Sequence, residues 1–163
     1  MADDSAVVAD FPAAGHDHAR CLAGALATAE ALCRHRGLRL TELRRQVLEL
    51  IWAEHRPIKA YELLERLRER RSGVAPPTVY RALDFLLQEG LIHRVESMSA
   101  YIGCSAPERR HPVQLLVCRR CAAVAELADG EIEALLRRKA QGLGFEVDSA
   151  TIELEGVCPQ CRG

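Results

Sequence analysis

Two CxxC pairs, "CRRC" at Cys118–Cys121 and "CPQC" at Cys158–Cys161, constrain this chain more than any other feature. Each pair can grip one ion from a tight turn, and four thiolates complete the tetrahedral, soft, anionic shell that Zn²⁺ prefers. The 36 residues between the pairs are more than a zinc ribbon needs, but a helix and two strands can occupy them. The second pair then staples the last strand to the front of the same domain.

The compartment supports metal over disulfides. The first residues, "MADDSAVVADFPAAG", are acidic and lack the basic stretch of a signal peptide. No apolar run approaches the roughly 18 residues of a membrane span. The protein is therefore read as cytoplasmic, where paired thiols serve as metal ligands or redox groups, and an odd count of seven cysteines also argues against a disulfide framework. As a redox pair, "CPQC" lacks the strand-to-helix setting that lowers a thiol pKa. A CxxC thiol oxidoreductase is the rival enzyme reading. No Ser/His/Asp constellation, P-loop or nucleotide fingerprint accompanies it, so the chain is expected not to be an enzyme.

Hydrophobic periodicity divides the chain, whose 163 residues fit one ordinary domain or two small ones. Residues 1–15 are small, acidic and aperiodic, and read as a disordered arm. Four helical stretches follow. The first runs from Ala19 to Cys33. The second starts at the N-cap Thr41, with Leu43, Val47, Leu50 and Ile51 on one face. "KAYELLERLRER" is the third, with Tyr61, Leu64 and Leu67 on its stripe. "APPTVYRALDFLLQEG" is the fourth, with prolines at its start, Gly90 at its end, and Val79, Leu83, Leu86 and Leu87 inward.

"LIHRVES" and "AYIGC" then read as a β-hairpin. Helices ending in a hairpin predict a winged helix-turn-helix over 16–104, with the fourth helix entering the DNA major groove. "SAPERRH", 105–111, is the linker. The remainder, 112–163, reads as strands "PVQLLVC" and "AVAEL", a helix from Glu131 to Gln141, and strands near "FEVDS" and "TIELEGV". The fold class expected is α+β, a winged helix followed by a small α/β domain. Charge follows the same division. Residues 34–94 carry thirteen basic against eight acidic side chains, a net of +5 between flanks of −4 and −2, which suits a polyanion partner.

A second donor set is His93, Cys104, His111 and Glu126. With the hairpin turn centred between Met98 and Ser99, His93 faces Cys104, and directly opposed side chains suit two ligands of one ion. His111 lies across the linker, and Glu126 follows Cys121 by five residues. One thiolate, two imidazoles and a carboxylate bring less soft charge than four thiolates, so this site should exchange metal more readily. In the fourth helix Arg81 is the basic residue off the buried stripe, placed to read guanine, with Thr78 and Tyr80 beside it. "HDHARC" (His16, Asp17, His18, Cys21) falls on the presumed arm and is left without a role.

"APPTVYRALDFLLQEGLIHRVES" followed by "CRRC" and "CPQC" resembles the Fur superfamily of metal-responsive repressors, and most nearly its zinc-responsive branch. A single His111 ahead of the first CxxC, where the iron-responsive branch typically carries "HHDH", favours that branch. The sensor set of the zinc branch is similar to His93, Cys104, His111 and Glu126. Tyr61 is similar to a family residue that contacts DNA. The resemblance implies a homodimer with a C-terminal dimerisation domain, two Zn²⁺ per chain (one structural, one regulatory), and double-stranded operator DNA as the partner. No membrane or small-molecule substrate is implied, and iron, manganese or peroxide sensing in the same fold is the alternative.

Overall fold

The computed structural model describes residues 6–13, 15 and 17–163. It forms two compact units, one of Ala13–Arg109 and one of Arg110–Gly163 together with residues up to Pro12.

The first unit contains helices α1 (His18–His35), α2 (Glu42–Trp52), α3 (Ala60–Arg70) and α4 (Pro76–Gln88). Each begins and ends for local reasons. The Asp17 carboxylate accepts from the Arg20 N–H at the start of α1, and Arg34 and His35 sit in its negative last turn. Gly37, at φ 68°, takes the left-handed conformation that lets the chain leave α1. Thr41 caps α2 by accepting from Arg44 N–H at 3.4 Å, and Pro76 and Pro77 open α4, where their missing N–H groups cost nothing.

One continuous core joins these helices. Leu26, Ala29 and Cys33 of α1 meet Val47, Leu48 and Ile51 of α2 and Val79, Leu83 and Leu86 of α4. Burying one such Leu or Ile contributes about 1.5–3 kcal/mol. The Arg44 guanidinium lies 3.6 Å over the Phe85 ring and braces α2 against α4. On α3 the buried stripe is Leu63 and Leu67, not the expected Tyr61/Leu64/Leu67. That rotation leaves Tyr61 in solvent.

A three-stranded sheet ordered β2-β4-β3 completes the unit, with β2 at Ile58–Lys59, β3 at Ile92–Val95 and β4 at Ala100–Gly103. The hairpin exists, but its register differs by two residues from the expectation. His93 pairs with Ile102 and Val95 with Ala100, because Glu96–Met98 form a 3₁₀ turn closed by Ser99 in the left-handed region at φ 48°. The turn is thus centred one residue earlier than its sequence suggests.

The second unit is a sheet ordered β1-β6-β5-β7, with β1 at Val7–Ala9, β5 at Val113–Cys118, β6 at Val124–Leu127 and β7 at Thr151–Gly156. Helix α5 (Gly130–Gln141) connects β6 to β7, and a last short turn, α6, covers Pro159–Arg162. Asp129 caps α5 by accepting from the Glu131 and Ile132 N–H groups. Within the presumed disordered arm, Val7–Ala9 instead form an antiparallel edge strand on β6, with Ala9 opposite Glu126. The outer edge of β6 offers unpaired backbone groups, and "VVA" is apolar enough to take them. "FEVDS" is not a strand. After α5 the chain turns through Gly144 at φ 71°, and the Val147 carbonyl accepts from Arg137 at 2.6 Å, so the segment is a connection into β7.

Candidate metal centres and nucleic-acid interface

The spacing of the cysteine pairs follows from the sheet. β7 runs parallel to β5, with Cys118 opposite Gly156, so both strands deliver their C-terminal ends to the same edge. Antiparallel strands can be joined by a tight turn, whereas a parallel return needs a crossover. Here β6 and α5 are that crossover, and they account for the long interval between the pairs. The "CRRC" turn is shaped by Ala122 at φ 60°, with the Ala122 N–H bonded to the Cys118 carbonyl at 2.9 Å. The "CPQC" turn is the start of α6, where Pro159 occupies the first helical position after Cys158.

The ligand atoms of Cys118, Cys121, Cys158 and Cys161 all lie within 4.8 Å of one another, and all four carry free thiols. Cys121 Sγ is 3.7 Å from Cys158 Sγ. A tetrahedral zinc with Zn–S bonds of about 2.3 Å sets its sulfurs about 3.8 Å apart, so the spacing fits that ion. Cys118 and Cys158 are buried, and the Cys158 N–H points at Cys118 Sγ from 3.4 Å.

The electrostatics of this cluster ask for a cation. The Cys158 backbone N–H, followed by that of Cys121, brings the Cys118 thiol down to about 6. Hydrogen bonding to Cys121 and then Cys158 pushes Cys161 up to about 12, and burial raises Cys158. One thiolate is thus tolerated while Cys158 and Cys161 resist ionising beside it. A bound divalent ion removes that resistance, because a coordinating thiol is deprotonated outright.

The second donor set consists of two pairs, one in each unit. In the first unit His93 lies on β3 and Cys104 immediately after β4. The two-residue change of register makes them diagonal rather than directly opposed, yet they remain on one face, since a shift of two preserves the alternation that a shift of one would reverse. A ring nitrogen of His93 and the Cys104 sulfur lie within 4.8 Å. In the second unit His111 Nε2 lies 2.6 Å from Glu126 Oε1, with the two side chains only 8% and 5% exposed. A carboxylate buried in mid-sheet is costly unless paired or coordinating a cation, which marks Glu126 as more than a solvated strand residue.

The predicted DNA-facing residues are all in the first unit. Tyr80 and Arg81 are exposed in the N-terminal half of α4, Thr78 is half-buried in its first turn, and Tyr61 on α3 is 59% exposed. An exposed Tyr61 has no packing role to explain it. Loss of the Arg81 side chain is expected to weaken specific DNA binding by about 1–3 kcal/mol and to relax preference for guanine at one operator position. Measured affinities on an operator series, for wild type and Arg81→Ala, check this. An unaltered base preference would remove Arg81 from the reading surface.

Within "HDHARC", His16 lies outside the described residues. His18 has a role that the sequence did not disclose. Its Nε2 is 2.6 Å from the Ala53 carbonyl and its Nδ1 is 2.9 Å from His55 Nε2. A carbonyl only accepts, so Nε2 carries the proton, and the start of α1 is tied to the end of α2. The sequence likewise does not disclose the pairing of β1 with the Glu126 strand. A Val-Val-Ala run is too short to display a period.

Comparison with known proteins agrees with this architecture. The family model described as "Ferric uptake regulator family" matches residues 35–155. The zinc uptake regulation protein of Escherichia coli (strain K12) is 41% identical over 137 residues, covering 83% of this chain and 80% of the relative. A solved zinc uptake regulator complexed with zinc and DNA superposes with a TM-score of 0.82 at 39% identity, covering 86% of this chain and 95% of that one. The structure of holo XcZur gives 0.78 at 43% identity over 84% and 96% of the two chains. A match that runs from the end of α1 to the last strand, through both units, leaves no room for a borrowed module: the chain belongs to the ferric uptake regulator family.

Proposed function

We propose that this chain is a zinc-responsive repressor of transcription. In this reading Zn²⁺ at His93, Cys104, His111 and Glu126 acts as corepressor, while a second zinc on Cys118, Cys121, Cys158 and Cys161 is structural. The observation that carries the proposal is the presence in one chain of two chemically unlike kinds of metal donor, together with an exposed Tyr61/Tyr80/Arg81 surface on the first unit. Four thiolates hold an ion permanently, whereas one thiolate with two imidazoles and a carboxylate can gain and lose it. A thiolate among the sensor ligands favours zinc over manganese, which prefers carboxylate, carbonyl and water. The relatives and solved structures named for zinc uptake regulation support the same metal.

Mechanistically, the sensor ligands come as one pair from each unit, joined by residues 105–111. Zinc gathering all four would select the arrangement in which two recognition helices meet successive half-sites. Two such helices require two copies of the chain. The face that would join them is on the second unit, where Ile132, Leu135 and Leu136 of α5 and Leu154 of β7 are all exposed in the single chain. Among the described residues no α5 side chain is buried, as expected of a helix whose apolar stripe awaits a partner. Among the described residues no helix is long and apolar enough to cross a membrane. The proposed place of action is DNA in the cytoplasm, at zinc-uptake operons.

Operator affinity measured with Zn²⁺, Fe²⁺ and Mn²⁺ tests the proposal. Zinc is expected to raise affinity well above the level with the other two ions. Equal or stronger activation by iron or manganese would reassign the sensor.

A further inference from the structure

Of the described glycines, Gly103 is the one with no room for a methyl group. A Cβ built there falls inside the Trp52 indole, 2.6 Å from Cζ2 and closer still to Cε2 and Nε1. Gly103 is not among the positive-φ residues, so its backbone is one that alanine adopts freely. Glycine is needed at this position for space alone. Glycine within a strand commonly marks such a close approach.

What the indole presses on is the backbone that carries Cys104. Gly103 pairs with Ile92, and the Cys104 N–H continues the ladder by donating to the Leu91 carbonyl at 3.0 Å. Past Gly103 the strand has ended, and this bond continues its line to Cys104. The Trp52 indole lies against the preceding residue, Gly103. Trp52 is itself the last residue of α2, set edge-on to His55, and the His18 bonds to Ala53 and His55 hold that corner.

We propose that Trp52 and Gly103 form a matched large–small pair that positions the Cys104 sulfur for the sensor zinc. They are positioning residues, since neither offers the ion a donor in this arrangement. The inference rests on the reading of Cys104 as a zinc ligand. Groups that orient metal ligands typically change affinity by about 10- to 100-fold when altered.

The test is zinc affinity of the full chain at the sensor site, measured by chelator competition after the structural site is filled. Gly103→Ala should weaken sensor zinc at least about tenfold, at the lower end of that range, with the structural zinc retained. Gly103→Ala combined with Trp52→Leu, which opens the space the new methyl needs, should recover most of the loss. Wild-type affinity in Gly103→Ala overturns the proposal, as does a double variant that folds, keeps its structural zinc and binds sensor zinc no better than the single one. If Gly103→Ala does not fold, the double variant decides alone: sensor zinc bound near wild-type strength supports the pair, and its absence from a folded chain overturns it. Cys104→Ser measured in parallel separates the two ideas. Unchanged sensor zinc in that variant defeats the assignment of Cys104, whereas loss of the ion there with an unaffected Gly103→Ala defeats only the positioning role.

Discussion

Cys158→Ser is expected to strip the structural zinc from the chain and unfold the second unit while the first stays folded. Cys158 is the hub of its cluster: buried, immediately ahead of α6, with its Sγ 3.7 Å from Cys121 Sγ and its N–H donating to Cys118 Sγ. Beyond the backbone pairing of β5 with β7, little packing supports the strand ends. The buried apolar side chains of the second unit are few, chiefly Leu115, Val117, Val124 and Ala125, and α5 adds none. Structural zinc in small domains supplies about 10–16 kcal/mol of apparent binding free energy at neutral pH, more than the roughly 5–15 kcal/mol that ordinarily separates folded from unfolded protein. The first unit has its own core from Leu26 to Tyr101 and does not draw on the metal.

Acid should act in the same direction as the substitution. Zinc requires all four sulfurs as thiolates, and three of these cysteines have shifted pKa values, with Cys118 lowered to about 6 and Cys161 raised to about 12. Binding therefore releases protons, and zinc affinity falls as pH falls. Metal analysis with hydrogen exchange on β5 and β7 checks both statements. A Cys158→Ser chain that retains its zinc and its protection in those strands would contradict them.

Cys104→Ser is expected to behave oppositely: the fold and the structural zinc persist, while one zinc per chain and the zinc-dependent part of operator affinity are lost. Coupling between an effector and its ligand is typically about 1–3 kcal/mol, so affinity should drop roughly 5- to 150-fold, to the level of the metal-free wild type. The variant should also be indifferent to added zinc. Linkage demands the reverse effect in the wild type, operator DNA tightening sensor zinc by the same factor. Calorimetric zinc titrations with and without operator measure it. Identical affinities in the two titrations would leave zinc binding and DNA binding unconnected.

The sequence displayed the helices because each carries its own evidence. Thr41 announces a cap, Pro76 and Pro77 an entry, and Val79, Leu83 and Leu86 a face. It displayed the thiolate cluster for a similar reason, since two residues between cysteines is a local geometry that survives any fold around it. The hairpin was visible as a hairpin but not in its register. "SMS" contains no Gly or Asn to mark where the chain reverses, and Ser99 takes up the left-handed conformation unannounced. The sequence does not single out the stripe of α3, because Tyr61 and Leu63 are both apolar enough to be buried, and periodicity does not say which of two overlapping faces meets the core.

By itself, then, the sequence determined the elements, the donor types and the spacing of the cysteine pairs, all of which are set by neighbours within a few positions. Tertiary structure alone decided which strands run parallel, bringing Cys118 and Cys158 to one edge, and which strand the N-terminal residues join. It also decided which glycine lies beneath Trp52. These depend on pairings between residues tens of positions apart, where the energy lies in shared burial and in backbone hydrogen bonds that any side chain can accompany. Such contacts leave little trace in a linear pattern.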